Sequence, residues 1–109
     1  MMDLAIELQE KTVKLDASIR MLRQNGTAYA EAERDYKVIL REECLKLRDQ
    51  GMPVGLIDKI CYGIPRVAEA RFQRDISEVV YKANQEAINS IKLQMRLMES
   101  QIQREWGQT

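Results

Sequence analysis

From Arg66 to Trp106 the chain runs 41 residues without a glycine or a proline, and this stretch constrains the fold more than any other feature. It is rich in Ala, Leu, Glu, Gln, Lys, Arg and Met, the side chains that lose least freedom in a helix. Phe72, Ile76, Val79, Ala83, Ala87, Ile91, Met95, Met98 and Ile102 succeed one another in steps of three or four. That is the spacing of an apolar stripe on a helix face. A single long helix is therefore expected from about Pro65 to Trp106. At 1.5 Å per residue it would run about 60 Å. A compact domain of this size has a radius of gyration of about 13 Å and a diameter of about 35 Å. Either the helix bends at an unmarked place, or a second copy covers the stripe. The oligomer is the favoured alternative, with Ile91, Met95, Met98 and Ile102 as its interface. Val80, Ile88, Leu93 and Leu97 widen the surface that wants cover.

Two more breaker-free segments precede it, Met1–Asn25 and Thr27–Gln50. The first carries Leu8, Leu15 and Leu22 at seven-residue intervals beside Leu4 and Ile19, a narrow coiled-coil-like seam. Asn25-Gly26 reads as a helix C-terminus, where glycine tolerates the left-handed conformation, and Thr27 can cap the next helix. The second segment sets Tyr29, Tyr36, Leu40, Cys44 and Leu47 on one side. Residues 1–50 are thus expected to form an antiparallel helical hairpin, with a kinked continuation as the alternative. Gly51, Pro53, Gly55, Gly63 and Pro65 crowd into a turn region over residues 51–65, with a short helix near Val54–Cys61. No segment alternates with period two. The expectation is one all-α domain over residues 1–109, ending in the long helix at 66–106 and packed like a coiled coil.

Composition narrows function mainly by exclusion. Seventeen basic and seventeen acidic side chains cancel, so no global charge argues for a nucleic-acid binder. Histidine is absent, which removes the commonest general base, the Ser-His and Cys-His pairs and every histidine metal site. Glu31, Glu33, Asp35, Glu42 and Glu43 are scattered around a helix rather than converging as a two-metal site requires. No enzyme activity, cofactor or metal is expected. Cys44 and Cys61 lie seventeen apart with no C-x-x-C, a usage that suggests reduced thiols and a cytoplasmic protein. No apolar run approaches the roughly 20 residues of a membrane span.

The turn region looks at first like a helix-turn-helix, with a short helix, a turn at Gly63-Ile64, and a helix opening on Arg66, Arg71 and Arg74. Arginine there suits guanine. Against it, Ile57 stands six residues before the turn glycine, Lys59 occupies the place of a small packing residue, and the second helix runs on for some forty residues. A structural turn is the stronger reading. Lys59, Arg66, Arg71 and Arg74 still form a local basic cluster beside the aromatic Tyr62, although Asp58, Glu69 and Asp75 dilute it. Breaker-rich connections concentrate function, and arginine is favoured in interfaces. These five residues are the candidate partner contacts. The alternative is a solvated helix face. Trp106, at the end of the long helix, reads as a cap that packs on the neighbouring helix end, with an interface anchor as the alternative, and Cys44 as a small buried hydrophobe.

The stretches Tyr29–Lys37 (YAEAERDYK) and Leu45–Val54 (LKLRDQGMPV), with the ending from Glu78-Val79-Val80-Tyr81-Lys82 through Ala87-Ile88-Asn89 to Gln103–Gly107 (QREWG), resemble small helical proteins of phages infecting Gram-positive bacteria. The resemblance covers roughly Tyr29 to Gly107 and leaves the first helix as a generic coil. It implies a product of early gene regions, which hold recombination functions and inhibitors of host defence, and it carries over no catalytic residue. Two readings follow. In one, the chain is a non-enzymatic module that docks on a larger protein, such as a bacterial defence nuclease, in the manner of an anti-CRISPR. In the other, it is a DNA-binding accessory of phage recombination or replication.

Overall fold

The computed structural model describes residues 2–107. Among them lie three helices and no strand: α1 at Met2–Asp49, α2 at Val54–Ile60 and α3 at Pro65–Gly107, with one 3₁₀ turn at Cys61–Gly63 between α2 and α3. The all-α expectation holds, and α3 is unbroken over its 43 residues.

The hairpin expected within residues 1–50 is not there. α1 passes through Asn25 and Gly26 without interruption. A single interior glycine costs a helix only about 1 kcal/mol relative to alanine, too little to break a segment whose side chains are held on both sides of it. Asn25 does not end the helix either. Its side-chain amide donates to Asn84 Oδ1 at 2.8 Å, and the Asn84 amide donates in turn to the Ser18 carbonyl at 3.1 Å. An asparagine that reads locally as a stop signal is recruited instead as a tertiary bridge.

By its contacts the chain forms two units. The first joins α1 up to Asn25 with α3 from Tyr81 onward. Asn84 meets Ser18 and Asn25, while Met95 shares a groove with Leu15. Partners descend along α3 as they rise along α1, so the two helices run antiparallel. Ile88 is buried in this unit, and Leu4, Leu8, Leu15 and Leu22 on α1 are half-buried with Ile91, Met95, Met98 and Ile102 on α3. Of the positions expected to meet a second copy, Met95 borders the same groove as Leu15 of α1. The polar Asn25–Asn84 pair sits within this apolar seam, where such a pair favours one register over its neighbours at some cost in stability.

The second unit, Gly26–Val80, holds the rest of α1, α2, the 3₁₀ turn and the start of α3. Its buried side chains are Tyr36, Ile57, Cys61 and Val67. α1 stops at the place that the sequence marks. Gly51 has φ of 87°, its N–H donates to the Arg48 carbonyl at 2.9 Å, and the Met52 N–H donates to the Leu47 carbonyl at 3.1 Å. These are the paired bonds of a Schellman C-cap. Pro53 then sets extended backbone before α2. Ile64 is likewise extended ahead of Pro65, as the residue before a proline prefers, and Pro65 occupies the first position of α3, where no backbone N–H is needed. Nothing lies within 4 Å of a Cβ built on Gly51, so Gly51→Ala should cost only the left-handed backbone penalty, about 1–2 kcal/mol. Urea unfolding of the two proteins would measure it.

Candidate functional site

The five residues expected to contact a partner all lie in the second unit, and the structure shows what occupies each. Arg66, in the first turn of α3, donates to Glu43 Oε1 at 3.1 Å and lies 2.9 Å from Glu42 Oε2, both on α1. Arg74, two turns on, stacks its guanidinium over the Tyr36 ring at 4.6 Å. It also pairs with Asp75 at 2.8 Å and approaches Glu33 at 3.8 Å. Its side chain is 22% exposed. Arg71 sits over Tyr62 at 5.7 Å from the ring centroid. Both Arg71 and Tyr62 are exposed, as is Lys59 on α2.

The cluster therefore splits. Arg66 and Arg74 are fasteners between α3 and α1, because each guanidinium is matched by carboxylates of its own chain. Lys59 and the stacked pair of Arg71 and Tyr62 are presented outward with no ion pair among the described residues, while Arg66 is half exposed but paired. Sequence reading could not separate these roles, since the matching acids at Glu33, Glu42 and Glu43 lie more than twenty residues away.

The charge match leaves a trace on Glu43. Hydrogen bonds from Arg66, and secondarily from Lys46, hold its carboxyl below the ordinary glutamate value of 4.5. A carboxylate with a depressed folded-state pKa stabilises fully above its unfolded value and loses that contribution as pH falls through the folded value. Stability should accordingly decline on acidification below about pH 4.5. Thermal melts across that range should show a shallower acid loss in Glu43→Gln than in the parent chain.

A different surface emerges on the opposite side of α3. Phe72, Ile76, Val79 and Val80 are 56%, 42%, 67% and 46% exposed, and with Asp75 they line one shallow groove. Phe72, Ile76 and Val79 were expected to continue the stripe of Ile91, Met95, Met98 and Ile102, and Val80 to widen it. They do not, for a geometrical reason. Successive steps of four, from Val79 through Ala83, Ala87 and Ile91 to Met95, each advance about 40° on a 3.6-residue helix. Four such steps accumulate about 160°. Val79 and Met95 thus lie on opposite faces. Within the second unit α3 turns Val67, Ala70 and Arg74 inward, and within the first unit Tyr81, Asn84, Ile88 and Ile91, all buried or half-buried. Phe72, Ile76 and Val79 point away from Val67, Ala70 and Arg74.

Two smaller expectations also meet the structure. Cys44 is half-buried rather than buried. Trp106 is 65% exposed at the end of α3. Among the described residues no group of three acids or thiols converges as a metal ion would need. No helix is long and apolar enough to cross a membrane. No family model matches the chain, and no curated protein or solved structure matches it either.

Proposed function

We propose that the chain is a non-enzymatic protein-binding module that docks on a larger protein through the outer face of α3. The observation that carries this reading is the exposed apolar group of Phe72, Ile76, Val79 and Val80. Contiguous apolar surface of this kind is uncommon on a soluble protein unless something covers it. An aromatic flanked by branched aliphatics is also the composition of an interface centre rather than its rim. The resemblance to early-region phage proteins supports a host protein as the partner, with a defence nuclease as the leading candidate and the bacterial cytoplasm as the compartment. The alternative, DNA binding by the arginines at the start of α3, has less support because Arg66 and Arg74 are already matched by carboxylates. A matched guanidinium must give up its partner before it can neutralise a phosphate.

The test is capture from host lysate by the tagged parent chain and by a Phe72→Asp/Ile76→Asp variant of equal helicity, read by mass spectrometry. A host protein retained by the parent and lost by the variant supports the reading. Equal capture by both removes the face from consideration. Light scattering on the same samples covers the remaining outcome. A parent dimer that the variant turns into a monomer would make a second copy the occupant, and the larger partner would be withdrawn.

A further inference from the structure

Away from both surfaces, two thiols from different elements lie beside one short piece of backbone. Cys61 opens the 3₁₀ turn. Its backbone N–H donates to the Ile57 carbonyl, and its thiol lies 3.9 Å from the Asp58 carbonyl oxygen. Cys44, on α1, lines a groove together with Ile57 and Asp58. Cys61 thus touches the Ile57-Asp58 segment and Cys44 shares a groove with it, Cys61 buried and Cys44 half-buried, and both are free thiols. The α1 wall of the same groove carries Arg41 and Arg48. Both are exposed, and neither has an ion pair among the described residues, so the mouth is cationic despite Asp58.

We propose that Cys44 and Cys61 form a dithiol site that exchanges with a small anionic disulfide and closes a bond between α1 and the 3₁₀ turn. Cys44 is the entry point because the groove reaches it while Cys61 is covered. The Cys44 thiolate attacks one sulfur of the small disulfide, forms a mixed disulfide and expels one thiolate. The Cys61 thiolate then attacks the Cys44 sulfur, forms the Cys44–Cys61 bond and expels the second. The two cysteine protons end on the departing thiols, and the small disulfide takes up two electrons. Burial, with the neighbouring thiol and Asp58 adding to it, pushes the Cys44 pKa up. The exchange is therefore slow at neutral pH and accelerates as the solution becomes alkaline. The product staples α2 and its turn to α1.

Incubating the full chain with glutathione disulfide, under native conditions and over a series of pH values, tests the site. The expected result is loss of both free thiols, a mass lower by two hydrogens, and a rate that climbs with pH. The unfolding temperature should rise by about 10 °C, because the bond constrains a short loop of the unfolded chain. Cys61→Ser should stop at a single mixed disulfide on Cys44, and Cys44→Ser should leave Cys61 unreacted. The mass of the parent chain alone decides the matter if either variant folds poorly. Disulfides between chains, stable mixed disulfides on both cysteines, or no reaction at alkaline pH would each overturn the proposal.

Discussion

Val67→Asp should unfold the second unit. Val67 is 0% exposed, so its replacement places a carboxylate where no water reaches. The nearest basic residues along α3 are Arg66, already engaged by Glu42 and Glu43, and Arg71, which is exposed and stacked on Tyr62. An uncompensated buried charge costs about 3–5 kcal/mol. Small domains have only about 5–15 kcal/mol in total, and this unit has few buried side chains to draw on. Val67→Ala is the graded control. It removes two methyl-sized groups at about 0.8 kcal/mol each, with a cavity penalty added, for a loss near 2 kcal/mol. Circular dichroism with urea titration should show Val67→Ala folded at a lower midpoint and Val67→Asp largely unfolded in buffer.

The outer face should behave in the opposite way. Phe72→Asp/Ile76→Asp changes side chains that are about half exposed, so the stability change should be small, within about 0.5 kcal/mol per site for a surface position. Binding should suffer far more. Aromatic residues at the centre of an interface contribute about 2 kcal/mol or more each when truncated, and a carboxylate added there must also be desolvated. A loss of affinity of at least about 30-fold follows from the first effect alone. Helicity unchanged with binding intact would show that the apolar group is incidental.

Val67 and Phe72 lie five residues apart on one helix, one buried and the other exposed. The helical state of residues 66–106 was legible because nothing interrupts it and its composition favours no alternative. The C-cap at Gly51 and the restart at Pro65 were equally plain, since each depends on the local backbone chemistry of a glycine or a proline. The phase of the stripe was not. Steps of three and four keep one face only when they alternate, and the run of fours from Val79 to Met95 crosses the helix. Asn25-Gly26 misled for a related reason. The local stop signal is real, but Asn84 lies 59 residues away, and its hold on Asn25 is invisible from the neighbourhood. A signal did exist. Leu8, Leu15, Leu22, Tyr29 and Tyr36 keep the seven-residue spacing straight across Gly26, which a turn there would have no cause to preserve. The pairing of Arg66 and Arg74 with acids of α1 could not be read until the register of the helices was known.

On the proposed function, the partner is held by the apolar outer face of α3 and not by the basic residues beside it. Calorimetric titration of the captured partner tests it in one measurement. The parent chain, Phe72→Asp/Ile76→Asp and Lys59→Ala/Arg71→Ala would be compared at equal helicity. Lys59 and Arg71 are chosen because they are exposed and, among the described residues, in no ion pair, so their removal spares the fasteners at Arg66 and Arg74. The apolar double variant should lose binding while the basic one stays within a few-fold of the parent. Loss of binding in the basic variant, with the apolar variant unaffected, would contradict it.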